Sequence, residues 1–293
     1  MAAKNLMKSP LVVIVGPTAS GKTSLAIEMA ERFGGEIICA DSRTVYRGMD
    51  VGTAKPTKQE QARVPHWGLD LVEPDQQYTA AQFKAYAEQK IEDIRKRGRI
   101  PFLVGGTGLY IDAIIFDYEF GPPPDLQRRQ ILGDMTLEEL HEYCLLNNIK
   151  LPENKFNKRY VIRAIEQVSV NTKRREHPIE NSFIVAITTE KDVLRTRIRK
   201  RVEQIFDDGV VNEATLLGEK YGWEIQSMTG DSYQLAKLYL RNEISSEEFK
   251  DKNTTLDWRL AKRQLTWLRR NPYIQWGDLS EARNYIIERL ASQ

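Results

Sequence analysis

Eight residues near the N-terminus carry the strongest chemical signal in the chain: Gly16, Pro17, Thr18, Ala19, Ser20, Gly21, Lys22 and Thr23. They satisfy G-x-x-x-x-G-K-[ST], a loop whose glycines let backbone N–H groups turn toward phosphate oxygens. Lys22 adds a point charge, and the Thr23 hydroxyl can ligate Mg²⁺. A turn can match this pattern by chance, but here the apolar run LVVIV precedes it and the helical pattern SLAIEMAERF follows it. That context suits an oligophosphate and does not by itself demand a nucleotide. Asp41 ends a second apolar run, at the position where ligands bind in open α/β sheets. The same residue could simply cap the following turn. Gly105-Gly106-Thr107-Gly108 follows a third run, IPFLV. It is either an ordinary glycine turn or a close backbone approach that brings the Thr107 hydroxyl to the same crevice.

Those groups need a sheet to hold them side by side. Short β-rich runs occur at Leu11–Val15, Glu36–Ala40, Ile100–Val104, Phe183–Ile187 and Tyr273–Trp276, and helical patterns separate most of them. Strands alternating with helices predict an α/β fold with a parallel sheet and helices on both faces. Thr79-x-x-Gln82, Thr136-x-x-Glu139 and Ser245-x-x-Glu248 are capping boxes that open helices. Leu137, Leu140 and Cys144 share one helical face, as do Val193, Leu194, Ile198, Val202, Ile205 and Phe206. The gap between the third and fourth runs exceeds one crossover helix and opens with Gly121-Pro122-Pro123-Pro124. The expected organisation is a core of residues 1–121 and 182–293, with a helical insertion at 122–181.

Composition narrows the class. The 293 residues are 41% hydrophobic, and 43 Lys+Arg against 41 Asp+Glu leave a net charge of +2. A polybasic coat is excluded, so any nucleic-acid surface must come from local clusters. No stretch approaches the roughly 20 apolar residues of a membrane span, and MAAKNLMKSP lacks the apolar region of an export signal. Two cysteines, Cys39 and Cys144, are too few for a disulfide scaffold. A cytoplasmic monomer is expected, with Cys39 a small core residue and His66 structural. Basic residues concentrate in KDVLRTRIRKR (191–201), WRLAKRQLTWLRR (258–270) and LPENKFNKRYVIR (151–163), where aromatic side chains interleave the last two. Each is either a solvated helix face or a surface for phosphates and bases.

GPTASGKT, ADSRTVYRGMDVGTAKP, PHWGLD, VGGTGLYIDA and AKRQLTW stand in this order across nearly the whole chain. In that order they resemble the tRNA dimethylallyltransferase family, also called tRNA isopentenyltransferase. RYVIRAIE and RVEQIFDDGVVNEA are weaker echoes. The resemblance implies a P-loop NTPase, nucleoside-kinase-like core and transfer of a dimethylallyl group from dimethylallyl diphosphate. The acceptor is N6 of the adenosine at position 37, in the anticodon stem-loop of tRNA. It implies tRNA contacts at Asp41, Ser42, Arg43, Thr44, Thr107, Arg129, Arg159 and Arg163, the last three in the insertion. An adenine amine is a weak nucleophile and needs a base, for which Asp41 is the candidate. The P-loop, Lys22, Mg²⁺ at Thr23 and the Thr107 hydroxyl would stabilise the departing diphosphate. The chain differs from the family's usual residues at Thr44, Tyr160, Gln234, Asp257 and Trp258. A P-loop small-molecule kinase, an adenylate prenyltransferase and a non-catalytic RNA-binding relative are the competing readings.

Overall fold

The computed structural model describes residues 9–121, 125–167 and 174–292. The chain divides into two compact units, residues 1–115 with 178–293 and residues 116–177. The first holds a six-stranded sheet in the order β3-β2-β4-β1-β5-β6. Its strands are β1 (Leu11–Val15), β2 (Gly35–Ala40), β3 (His66–Trp67), β4 (Ile100–Gly105), β5 (Ser182–Ile187) and β6 (Ile274–Gly277). Every pairing is parallel. β1 lies between β4 and β5 and is wholly buried, which is why LVVIV reads as a continuous apolar run rather than an alternating one.

The chain leaves β1 for β2 in one direction along the sheet and leaves β4 for β5 in the other. Ligands bind outside the carboxyl ends of strands at such a switch. The loops after β1, β4 and β2 are therefore neighbours, and they are the three loops singled out by their residue types.

Helices α1 (Lys22–Phe33), α2 (Lys58–Arg63), α3 (Ala80–Lys96) and α4 (Gly108–Ile115) join the first strands. After the second unit, α8 (Lys191–Asp207), α9 (Val210–Tyr221), α10 (Asp231–Leu240), α11 (Ser246–Leu268) and α12 (Leu279–Ala291) complete the first. Thr79 and Ser245 form the expected capping boxes of α3 and α11. On one side, Leu25, Ile27 and Met29 of α1 and Ile286 of α12 pack against Val12, Ile14, Phe102 and Val185. A second cluster joins Val45, Tyr46 and Met49 to Val210, Leu217, Tyr233 and Phe249. On α8 the buried residues are Leu194, Ile198, Val202 and Ile205. Val193, expected with them, is 46% exposed because its position points off that stripe.

The second cluster carries the loop after β2 on a polar frame. Glu213 of α9 accepts N–H groups from Asp50, Val51 and Gly52 at 2.8–2.9 Å, and the buried Tyr233 hydroxyl at 2.8 Å. The Lys55 ammonium, 3% exposed, donates to Tyr46 O, Asp50 Oδ1 and Asp70 Oδ1. The segments ADSRTVYRGMDVGTAKP and PHWGLD thus meet in one ion-paired knot.

The second unit is helical where described: α5 (Leu126–Asp134), α6 (Leu137–Leu146) and α7 (Lys158–Gln167). Leu132, Leu140, Cys144, Val161 and Ile165 form its core, with Leu137 packed at the edge. Asp125 caps α5, and Thr136 makes the expected capping box of α6. The limits of the unit fall earlier than 122 and 181. The chain has rejoined the first unit before β5, where Ile179 N–H donates to Ile115 O at 2.8 Å. The run Pro122–Pro124 lies outside the described residues.

Glu213→Ala leaves three backbone N–H groups and a buried phenol without their charged acceptor. A loss of about 2–3 kcal/mol is expected, since hydrogen bonds to charged groups are worth about 1.5–3 kcal/mol each but solvent and relaxation recover part of the sum. The check is the urea midpoint, with unchanged m-value; an unchanged midpoint would show the frame to be dispensable.

Candidate active site

The phosphate loop follows directly from β1. Gly21 has φ 93 and Ala19 has φ 60, both left-handed, and Gly21 is the N-cap of α1 without any side-chain cap. A helix start without a cap leaves bare N–H groups, and the helix dipole adds partial positive charge there. Within the loop Thr18 N–H donates to Gln264 Oε1 and Ser20 N–H donates to Pro17 O. The N–H groups of Ala19, Gly21, Lys22 and Thr23 therefore remain to face a ligand, as an anion site requires. The Ser20 hydroxyl is buried with no partner among the described residues.

A cavity of about 410 Å³ opens in front of these groups. It is lined by Ala19, Gly21, Lys22 and Thr23 from the loop and by Arg197, Lys200, Arg201 and Gln204 from α8. The four α8 residues are spaced i, i+3, i+4, i+7, so they share one face. That spacing is present in the sequence, where the basic run 191–201 is one cluster, either a solvated helix face or a surface for phosphates and bases. The structure splits it three ways. Arg195 lies over the Trp258 ring at 4.7 Å, and Arg199 pairs with Glu203 and Asp251. Arg201 donates to Thr18 Oγ1 at 2.5 Å and to Thr53 O at 3.4 Å, and Arg197 donates to Ser20 O at 3.4 Å.

Lys22 Nζ donates to Pro17 O at 3.1 Å. Burial first and Arg201 second push its pKa down to about 8, and Asp41 opposes them. Four cationic groups around one cavity repel each other until an anion arrives, and the arrangement is built to receive one.

Asp41 follows Ala40, the last residue of β2. Its Oδ1 accepts the Arg43 N–H at 2.8 Å, so it does cap a turn. This bond occupies one oxygen, and the carboxylate remains close enough to Lys22 and Tyr110 to affect both electrostatically. Thr107, after β4, accepts the Ser42 N–H on Oγ1 at 3.1 Å, and its own N–H donates to Ala40 O. Because the hydroxyl oxygen accepts, its proton is left to be donated elsewhere. Asp41, Ser42 and Thr107 are therefore brought together beside the phosphate loop.

The other expected site residues are placed differently. Arg43 is directed away, donating to Gln226 O, Ser227 O and Thr229 Oγ1. Thr44 is buried, and its hydroxyl finds no partner among the described residues. In the second unit Arg129 makes a bidentate pair with Glu166, and Arg163 reaches the same carboxylate at 3.4 Å. Arg159 is exposed. Burial and the Asp41 carboxylate push the Cys39 thiol up to about 12, which fits an inert core residue. His66 holds Val64 O at 2.7 Å on Nδ1, and burial lowers its pKa. Two residues of AKRQLTW serve the site in a way the sequence did not reveal. Gln264 bridges Thr18 N–H and Gly106 O, while the Trp267 indole N–H donates to Asp112 Oδ2 at 2.7 Å.

A family described as IPP transferase matches residues 44–271, and one described as isopentenyl transferase matches residues 9–66. The chain is 36% identical to the tRNA dimethylallyltransferase of Macrococcus caseolyticus over 97% of its length and 96% of that protein. It is 38% identical to the tRNA dimethylallyltransferase of Pelotomaculum thermopropionicum, covering 94% and 92%. The crystal structure of the Bacillus halodurans tRNA isopentenylpyrophosphate transferase superposes with TM-score 0.74 at 36% identity, covering 97% of this chain and 98% of that one. A eukaryotic dimethylallyltransferase acting on tRNA shares the fold, with TM-score 0.77 at 22% identity, covering 92% and 74%.

The lowered pKa of Lys22 has two consequences of opposite sign. The folded protein holds this proton less tightly than the unfolded chain, so its contribution to stability rises as pH climbs from about 8 toward the ordinary 10.5. Anion affinity falls over the same range. Inorganic diphosphate, titrated by calorimetry from pH 7 to 9.5, is expected to bind more weakly as Lys22 deprotonates. Lys22→Met is expected to bind about tenfold more weakly at pH 7, the loss of one charge-assisted bond, and to lack that part of the slope. Identical pH profiles for parent and variant would place Lys22 outside the anion site.

Proposed function

This chain belongs to the tRNA dimethylallyltransferase family, and on that premise we propose how its residues move a dimethylallyl group onto tRNA. The phosphate loop and the α8 cations grip the diphosphate of dimethylallyl diphosphate. The acceptor is N6 of adenosine 37, beside the anticodon. One observation carries the reading: the Ser42–Thr107 hydrogen bond holds a hydroxyl with its proton left to donate against the segment of Asp41, whose carboxylate acts on Lys22 of the phosphate loop.

The chemistry then balances. The N6 lone pair attacks the allylic carbon, the C–O bond breaks, and its electron pair leaves with diphosphate. Asp41 takes the N6 proton, which its turn-capping bond through Oδ1 does not prevent. The N–H groups of α1, the Lys22 ammonium and the Thr107 hydroxyl meet the charge that builds on the departing oxygen. Arg201 has two tasks, bracing Thr18 through its hydroxyl and adding charge to the cavity wall. No three His, Cys, Asp or Glu residues converge as a metal set among the described residues. The Thr23 hydroxyl on the cavity wall is a hard oxygen donor of the kind Mg²⁺ takes beside phosphate oxygens and water. Thr23 would hold it, and the ion would supply charge neutralisation on the leaving diphosphate. An adenine stacked in an anticodon loop must be extracted before its amine reaches Asp41, as in other enzymes that modify bases.

The family membership sets the kinase reading aside, and the intact set Lys22, Thr23, Asp41 and Thr107 speaks against a non-catalytic relative. The second unit, through exposed Arg159 and the outward parts of Arg129 and Arg163, is the proposed tRNA-facing body. Binding through Lys and Arg to phosphate releases counterions, so tRNA affinity is expected to fall steeply with added salt. A flat salt response would take those side chains out of the interface.

Incubation with Mg²⁺, dimethylallyl diphosphate and unmodified tRNA, followed by mass measurement of the tRNA nucleosides, tests the reaction directly. Asp41→Asn tests the base. Asn keeps the acceptor for Arg43 N–H but cannot take a proton as a carboxylate does. Single-turnover rate is expected to fall about 10²- to 10⁴-fold, with tRNA and diphosphate binding largely kept. A rate within a few-fold of the parent would leave Asp41 as a turn cap only.

A further inference from the structure

One side-chain amide touches both loops that face the leaving group. Gln264 Oε1 accepts the Thr18 N–H at 2.8 Å, and its Nε2 donates to the Gly106 carbonyl at 3.2 Å. The two partners, one donor and one acceptor, fix which end of the amide points where. A carboxylate could only accept across this span, and an ammonium could only donate. The approach at Gly106 is close enough that a Cβ there would collide with Gln264 Nε2. Three residues along α11, Trp267 donates to Asp112 of α4, and a Cβ on Gly108 would collide with its indole. The helix that carries both side chains is itself fixed, because Ala261 is buried against Leu194 and Ile198 of α8.

We propose that Gln264 is a positioning residue for prenyl transfer, setting the separation between the phosphate loop and the Gly106–Thr107 turn. The proposal rests on the reading of the phosphate loop as the diphosphate site. Under that reading the departing diphosphate is met from two separate chain segments, the loop after β1 and the turn after β4. As the C–O bond lengthens, donors on both must stay aimed at the same oxygen atoms. Strand pairing holds β1 beside β4 as far as Val15 and Gly105, but the loops run on past the last paired residues. Gln264 ties them together beyond that point, one residue from Thr107. A shift there passes to Thr107, and through the Ser42 hydrogen bond to the segment carrying Asp41. Sub-ångström misplacement of this kind affects rate more than ground-state binding.

Two variants test it. Gln264→Met keeps the length of the side chain and removes both bonds. Gln264→Glu keeps the acceptor for Thr18 N–H but sets an oxygen against Gly106 O. Steady-state kinetics with dimethylallyl diphosphate and unmodified tRNA, thermal midpoints and the double variant with Thr107→Ala are measured together. For Gln264→Met, kcat is expected to fall about 10- to 100-fold, with KM for tRNA within about twofold. Gln264→Glu is expected to fare no better, although it retains one bond. In the Thr107→Ala background Gln264→Met is expected to cost only a few-fold, because the group it positions is gone. A merely structural role would lower the thermal midpoint, leave kcat of the folded enzyme alone and add fully to Thr107→Ala. Near-parental kcat in both variants, or full additivity, would overturn the proposal. Should Gln264→Met fail to fold, Gln264→Glu decides by the same criteria. Lys22→Ala, run in parallel, separates the two levels. If it left kcat and the KM for dimethylallyl diphosphate unchanged, the diphosphate reading itself would fall and take the proposal with it.

Discussion

A loop that must offer bare N–H groups to an anion cannot satisfy those groups itself. It gives up the caps and turn bonds that would normally stabilise a helix start. The phosphate loop of this chain meets that constraint by being held from outside. Gln264 takes the Thr18 N–H, Arg201 takes the Thr18 hydroxyl, and Arg197 takes the Ser20 carbonyl. Behind the loop, Ala19 and Trp258 pack against Leu194, Ile198 and Ala261. Much of α8 and α11 can be understood as support for eight residues.

The same logic extends to the loop after β2. The segment after Asp41 has little regular structure of its own. Glu213 collects three of that loop's N–H groups, and Lys55 ties it to Asp50 and Asp70. Both frames use charged groups accepting or donating several bonds at once, which is where buried charge becomes tolerable. The cost shows in the cavity, where Lys22 is forced toward neutrality by burial and by Arg201. An anion in the cavity would relieve that repulsion, so affinity and electrostatic strain would have one origin.

Charge in the second unit follows a different pattern. Glu166, with a side chain only 7% exposed, gathers Arg129 and Arg163 onto one carboxylate. That pair joins α5 to α7 across a core of five buried residues. A small core gains from such a link, and the guanidinium edges left in solvent can still meet phosphate.

The elements were legible because their signals are local. Continuous apolar runs marked the buried parallel strands β1, β4 and β5, and Thr79, Thr136 and Ser245 marked helix starts by hydrogen bonds made within three residues. The phosphate loop was legible for the same reason, since its glycines, Lys22 and Thr23 act through their own backbone. Asp41 and Thr107 could be named but not joined, because no local pattern shows that Ser42 N–H lies on Thr107 Oγ1. What lay beyond the sequence was pairing at long range. Arg201 meets Thr18 across 183 positions, and Gln264 meets Thr18 across 246. In the sequence Arg195, Arg199 and Arg201 are equivalent members of one basic run. Only the packing of α8 sends one to a tryptophan, one to two surface carboxylates and one to the phosphate loop. Residue type and spacing determined which chemistry this chain could perform. Which of its many arginines and glutamines reach the phosphate loop was decided by the tertiary structure, because helix rotation and strand order set distances that no local pattern encodes.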